Sequence, residues 1–291
     1  MSGDANSDRV RVAAVQHAMR AIGAFEEFAT QCAHGVAAAA EWNAELCLFP
    51  EFLTTQLLSI PRQDGRSASI GDLEAHTPAY RALFTGLARR HQTTIIAGTH
   101  VYARGNKLYN GAHVFLPDGR VEVQDKLHLT PTEVNPWALT PGEQLKILDL
   151  PFGKAAVLVC YDVEFPELAR QARARGADIL FVPSCTDDRQ GFHRVRHCCH
   201  ARAIEDQIYV VTTHAIGQLP VDWMRSNVGN AAILTPCDIQ FPPGGVLAQG
   251  EMNIDQIVVA ELDLALLRRA REGGAVRTWQ DRRADLYPLA Y

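Results

Sequence analysis

The chain has 291 residues, 47% of them hydrophobic and 21% charged, with a net charge of −5. That length fits one large domain or two ordinary ones and is enough to bury a substantial core. The acidic balance excludes a broad basic field for a nucleic-acid backbone, and no apolar run reaches the roughly 18 residues that a membrane-spanning helix needs.

The chain opens on "MSGDANSD" (1–8), polar and acidic, with no basic start leading into an apolar stretch. It reads as a flexible tail and not as a secretory leader. Residues 9–15, "RVRVAAV", alternate and then turn continuously apolar, the pattern of a strand entering a core. The alanine-rich, proline-free stretch 25–43 suits a helix. "AELCLFPE" (44–51) suits a short buried strand stopped by Pro50. Residues 54–77 are polar and irregular, as in a long surface loop. A helix is expected over 78–92, with proline at its start, then a strand over 93–103. Residues 108–129 read as a hairpin around Pro117, Asp118 and Gly119.

A loop over 130–143 holds three prolines, and a strand pair over 145–162 is joined at residues 151–153. A helix over 165–177, a strand over 178–184 and a helix over 189–207 follow. Strands are expected over 208–217, 229–236 and 256–264, the last leading into the helix "ALLRRARE", where Arg268, Arg269 and Arg271 suit a solvated face. No fixed repeat or low-complexity linker interrupts the series. Strands mixed with helices, several as adjacent pairs, predict one compact α/β domain over 9–272 with mixed sheets. Tails at 1–8 and 273–291 flank it. The seven cysteines (32, 47, 160, 185, 198, 199 and 237) are odd in number and irregular in spacing. With no secretory leader, that favours reduced thiols in a cytoplasm.

Three titratable residues end expected strands, where loops can build a site on a rigid sheet. Glu51 follows an apolar strand and a proline, and desolvation there raises a carboxyl pKa towards a value useful to a general base. Taken alone, a solvent-facing strand-end acid is the commoner outcome. Lys126 suits a fixed cation that stabilises an oxyanion, with Glu133 seven positions on to hold it. Taken alone, an exposed edge lysine is again commoner. Cys160 closes an apolar run and is followed by Asp162, Glu164 and Glu167. A strand-to-helix turn there aims backbone N–H groups at a thiolate or an oxyanion. The ordinary alternative is a small hydrophobe closing a strand; the run of acids counts for chemistry. A carboxylate, a cation and a thiol are the parts needed for acyl transfer through a thioester. His128 is the only histidine in these stretches, so a cysteine–histidine protease has no anchor.

"FPE" ending at Glu51, "KLHLTPTE" (126–133) and "CYDVEFPE" (160–167) resemble, in order and separation, the three signature stretches of the nitrilase superfamily, the carbon–nitrogen hydrolases. "AAVQ" (13–16), "YNGAHVFLPDG" (109–119), "ARAIEDQIYVV" (201–211) and "VVAELDL" (258–264) support the likeness, which spans about Val10 to Leu264. The resemblance implies a four-layer α-β-β-α sandwich and a Glu51–Lys126–Cys160 triad with Glu133 as an additional glutamate. It implies the Tyr161 backbone N–H beside Lys126 in an oxyanion hole, and no metal or organic cofactor. It also implies self-association, as a homodimer or higher oligomer across the outer helices, with the C-terminal tail reaching the partner. The expected partner is a small-molecule amide, with no nucleic acid and no membrane. A nitrile or an N-carbamoyl compound, served by the same triad, is the alternative substrate.

Substrate choice does not transfer. Where many members carry Asn with Trp or a similar large residue, this chain has "SCTDDRQGF" (184–192), most like members of uncharacterised specificity. Ser184 and Thr186 are the expected substrate-binding residues there. The segments 54–70, 130–138 and 184–194 are the expected pocket walls. Arg189 and Arg194 suit a substrate carboxylate, although surface arginines are commoner.

Two other classes compete. "HRVRHCCH" sets His193, His197 and His200 at i, i+4 and i+7 beside Cys198 and Cys199, as in a zinc-dependent hydrolase or a structural zinc site. A histidine-rich amphipathic helix is the commoner outcome, and no second ligand group has recognisable spacing. A scaffold that kept the fold and lost turnover is the third class; the intact Glu51, Lys126 and Cys160 argue against it.

Overall fold

The computed structural model of the chain describes residues 8–62, 66–221, 224 and 226–286. Of the expected tail at 1–8 only Asp8 is described. Residues 63–65 of the expected loop and 287–291 of the C-terminal tail lie outside the described residues.

In chain order, the first half holds β1 (Arg9–Gln16), β2 (Ala18–Met19), α1 (Phe25–Glu41), β3 (Leu46–Leu48), α2 (Thr77–His91), β4 (Thr94–Arg104), β5 (Lys107–Phe115), β6 (Val121–Asp125) and the single turn α3 (Pro131–Val134). The second half holds β7 (Leu148–Leu150), β8 (Gly153–Val157), α4 (Pro166–Ala174), β9 (Ile179–Ser184), α5 (Arg189–Glu205), β10 (Tyr209–His214), β11 (Ile216–Gly217), β12 (Ala232–Leu234), β13 (Val246–Gln249), β14 (Gln256–Asp263) and α6 (Leu264–Gly273). Two six-stranded sheets form, in the orders β14-β1-β3-β4-β5-β6 and β13-β12-β10-β9-β8-β7, and β11 pairs with β2. Both sheets are mixed. β1, β3 and β4 run parallel, as do β8, β9 and β10, and antiparallel strands flank each trio.

The period of two along β1 shows how the layers arise. Val10, Val12 and Ala14 join the core shared with the second sheet, while Ala13 and Val15 join the core under the helices. Both faces are buried, which is why the strand reads as an almost unbroken apolar run. α1 covers its sheet with Phe28, Cys32, Val36 and Ala39, and α2 with Tyr80, Phe84, Leu87 and Ala88, each a stripe at helical spacing. On the other side, α4 contributes Leu168, Ala169 and Ala172, and α5 contributes Val195, Cys199 and Ala203. The product is a four-layer α-β-β-α sandwich.

Three local expectations are corrected. Residues 54–77 are surface loop only in part: 3₁₀ helices run over Leu53–Ser59 and Ile70–His76, and Leu53 to Leu58 are all buried, whereas the described residues between the two helices are irregular. The polar residues of that stretch go inside because each finds a partner. Thr54 Oγ1 pairs with His100 Nδ1, Thr55 donates to the Phe52 carbonyl, and Gln56 bridges His17 and Gln31. Arg271 is not solvated; it is buried, donating to the Gln207 carbonyl at 2.8 Å and pairing with Asp178. β13 falls in a stretch without a strand signal, while the strand expected over 229–236 contracts to β12. Among the described residues no helix is long and apolar enough to cross a membrane.

Candidate active site

Three strand ends deliver the candidate residues to one place. After β3, Phe49 and Pro50 lead to Glu51, and this turn packs tightly on β4. Gly98 (φ +58°) lies against it, and a Cβ there would sit 1.9 Å from the Pro50 carbonyl oxygen, so only glycine fits. Phe52 adopts φ +56°, with its N–H donated to Thr99 Oγ1 at 2.8 Å. β6 ends at Asp125, and the next N–H, that of Lys126, is donated to the Asn110 carbonyl at 2.8 Å. Beyond β8, Cys160 opens a 3₁₀ helix over Cys160–Glu164 at φ +48°. A non-glycine residue in the left-handed region is strained, and such strain concentrates at functional sites. The first turn of a helix leaves its amides without intrahelical acceptors, and the Tyr161 N–H belongs to that turn.

The acids that follow Cys160 serve the framework and not the thiol. Asp162 is buried and accepts from the backbone N–H groups of Leu127, His128 and Val159 and from His128 Nδ1. It ties the lysine segment to the cysteine turn. Glu164 pairs with Arg194, and Glu167 is exposed.

Glu51, Lys126 and Glu133 are each 1% exposed. Lys126 Nζ lies 2.8 Å from Glu51 Oε1 and 2.7 Å from Glu133 Oε2. The exposed edge-lysine alternative is thereby excluded. Glu133 Oε2 also accepts from the Thr130 N–H (2.9 Å) and Oγ1 (3.0 Å), closing the cap of α3. Asn110 Nδ2 donates to Oε1 of both glutamates, at 3.0 Å each. The Cys160 thiol donates to the Cys185 carbonyl at 3.6 Å and lies beside Glu51, whose ionised form it stabilises.

Burial dominates the electrostatics. It pushes the Glu51 carboxyl up to about 7; Lys126 opposes this and the Glu133 charge adds to it. Burial also pulls against the Lys126 ammonium, but the charges of Glu51 and Glu133 outweigh it and hold the lysine well above its ordinary value. Burial, with the Glu51 charge, keeps the Cys160 thiol protonated at rest, and Lys126 alone among the nearest charges favours the thiolate. The arrangement therefore stores a thiol beside a carboxyl poised near neutrality and a permanent cation.

These groups line a cavity of about 220 Å³. Phe52, Trp137 and Tyr161 supply aromatic wall, and Thr186 also lines it, its hydroxyl donated to the Val228 carbonyl at 2.7 Å. Ser184 does not line it. It is fully buried at the end of β9 with its hydroxyl turned to the Val182 carbonyl, so its expected substrate role is corrected. Arg194 is in the wall, held by Glu164; Arg189 is exposed and outside it. The segments 130–138 and 184–194 contribute wall as expected, whereas the described residues of 54–70 contribute none. Sequence reading missed Asn110, Asp162 and Cys185. Cys185 lines the cavity, donates its thiol to Asn227 Oδ1 at 3.1 Å, and lies within electrostatic reach of Glu51 and Lys126. On α5 the His193 and His197 rings stack 5.7 Å apart, and no group of three or more His, Cys, Asp or Glu side chains among the described residues could hold a metal ion. That geometry weighs against the zinc alternative.

Residues 11–272 match the carbon–nitrogen hydrolase family. The chain belongs to that family. The Bacillus subtilis (strain 168) protein named "Probable hydrolase YhcX" is 41% identical over 97% of this chain and 55% of its own length, so the carbon–nitrogen hydrolase described here spans little more than half of that relative. A chloroplastic omega-amidase of Arabidopsis thaliana is 29% identical over 86% of this chain and 67% of its own length. Among solved structures, a glutamine-for-glutamate variant of an amidase from Nesterenkonia sp. AN1 superposes with a TM-score of 0.75 at 25% identity, covering 99% of each chain. It carries the acetamide moiety of fluoroacetamide on its active-site cysteine.

Proposed function

We propose that this carbon–nitrogen hydrolase cleaves the C–N bond of a small amide through a thioester on Cys160, releasing ammonia or an amine. The observation that carries the reading is the Lys126 ammonium 2.8 Å from Glu51, beside Cys160 in one small cavity. Glu51 accepts the Cys160 proton as sulfur attacks the carbonyl carbon, forming a C–S bond. Lys126 and the Tyr161 N–H receive the oxyanion; one such donor contributes about 3–4 kcal/mol in comparable sites. Glu51 passes the proton to the leaving nitrogen as the C–N bond breaks. It then takes a proton from water, whose oxygen attacks the thioester, and returns that proton to sulfur. Glu133 holds Lys126 in place. No step calls on a metal or an organic cofactor.

The amidase and omega-amidase names of the relatives favour an amide over a nitrile. The same reading makes the protein cytoplasmic, in keeping with seven free cysteines, and a homodimer or higher oligomer in which the C-terminal segment meets the partner. The test is a panel of small amides, nitriles and N-carbamoyl compounds, read by ammonia release, with Cys160→Ala as control. Release from an amide by wild type and none by the folded Cys160→Ala variant is expected. Turnover that survives in Cys160→Ala overturns the reading; turnover of nitriles alone replaces amide with nitrile.

A further inference from the structure

Asn110 stands where three of the four candidate groups meet. It sits inside β5, paired with Val101 of β4, and is 1% exposed. Its carbonyl accepts the Lys126 N–H at 2.8 Å, and its single amide nitrogen reaches Oε1 of Glu51 and Oε1 of Glu133, both at 3.0 Å. Its Oδ1 is buried and has no hydrogen-bond donor among the described residues. The opposite orientation of the amide would set that oxygen against two carboxylates, so the network fixes the nitrogen inward.

A fully buried asparagine with an unsatisfied acceptor is a cost that packing alone does not explain. The geometry gives a reason. Two carboxylates share one ammonium, and burial favours the neutral form of Glu51. An amide N–H₂ is a neutral group that delivers two protons to two acceptors from one nitrogen. It binds both ionised glutamates without a second cation, which would compete with Lys126 for them. Lys126 Nζ and Asn110 Nδ2 also converge on the same oxygen of Glu51, Oε1. Oε2 carries neither donor and stays available to take a proton.

We propose that Asn110 is a positioning residue that favours the ionised form of Glu51 beside Glu133 and directs Glu51 Oε2 to the Cys160 proton. The proposal rests on the thioester reading. Glu51 is faced by Lys126, Glu133, Asn110, Cys160 and Cys185, so a change at Asn110 leaves every other charge in place. Losing a donor to the ionised form raises a carboxyl pKa.

The test uses iodoacetamide as the probe and follows its rate of addition to the Cys160 peptide by mass across pH 5–9. Thermal unfolding is measured in parallel. In wild type the rate falls on the acid side of a limb near neutrality. In Asn110→Ala the limb moves up by about one pH unit. Asn110→Ser, which keeps one O–H donor, falls between the two. If Asn110→Ala does not fold, the Asn110→Ser limb decides the question by itself. A limb that stays at its wild-type pH in a folded variant, even with a lowered Tm, overturns the proposal and leaves a packing role. Wild type labelled no faster at Cys160 than at exposed Cys237 sinks the thioester reading instead.

Discussion

The cavity has two unlike walls. On the inner one, Glu51, Lys126 and Glu133 are fully buried and, with Asn110 behind them and outside the lining, are joined by hydrogen bonds of 2.7–3.0 Å. On the outer one, Asp187, Asp188 and Arg194 are exposed, and Arg194 closes an ion pair with Glu164 across the rim. The inner wall hangs from strand ends; the outer wall begins where β9 stops and α5 starts. A reacting proton needs fixed distances, which buried mutual bonds provide. Selection of a substrate needs only a surface that can vary, and exposed side chains on a loop supply it. Mutations should therefore separate the walls by size of effect.

The largest effect is expected at Asp162. Asp162→Ala strips an acceptor from three backbone N–H groups, that of Val159 buried and those of Leu127 and His128 part-buried, and a buried unsatisfied donor costs about 1–3 kcal/mol. Chemical denaturation should show a loss of several kcal/mol, and a loss under 1 kcal/mol would mean that the clamp between the two segments is dispensable. Lys126→Met comes next. It leaves two carboxylates buried without their cation, a change on the order of 3–5 kcal/mol for a buried pair. Turnover by the folded fraction should fall at least about a hundredfold.

A smaller effect follows from the Glu51 value of about 7. The carboxyl must be ionised to take the thiol proton, so lowering the pH below 7 removes the base. The rate kcat/KM should fall about tenfold for each pH unit on that side. A flat profile down to pH 5 would remove Glu51 from the role. The smallest effect is expected at Arg194→Ala. An ion pair with an exposed arginine contributes about 0.2–1 kcal/mol to stability. Changes should appear in KM and substrate preference, with kcat nearly constant; a collapse in kcat would move Arg194 to the inner wall.

The same contrast explains what the sequence made legible. Glu51 and Cys160 announce themselves because each is a titratable residue set at the end of an apolar run, and Lys126 because it stands between strand residues and a proline-containing loop with Glu133 seven positions on. Asn110 does not, because it is neutral and its neighbours read as ordinary strand. Asp162 was visible as an acid near Cys160, but only the fold shows that it faces backbone N–H groups of another segment. Residues 54–59 were misplaced because polar composition suggests exposure, whereas Thr54, Thr55 and Gln56 satisfy their hydrogen bonds inside. Ser184 was rightly read as the end of a strand but wrongly as a pocket residue, because the sequence does not show which way its hydroxyl turns, which is back to Val182. The central strands were legible from continuous apolar runs, while four-residue β13, half exposed at its sheet edge, offers no such run.

The account stands or falls on covalent chemistry at one sulfur. Glu51→Gln removes the base that starts acyl transfer, which leaves fluoroacetamide the direct displacement of fluoride by the nucleophilic sulfur, an S–C bond forming as the C–F bond breaks; incubation of that variant with fluoroacetamide, followed by peptide mass analysis, is the most direct test. The account predicts the mass of one acetamide moiety on the peptide that contains Cys160 and none when Cys160→Ala is added. An adduct on Cys185 or Cys198, or no adduct beside wild-type enzyme that turns over small amides, would contradict it.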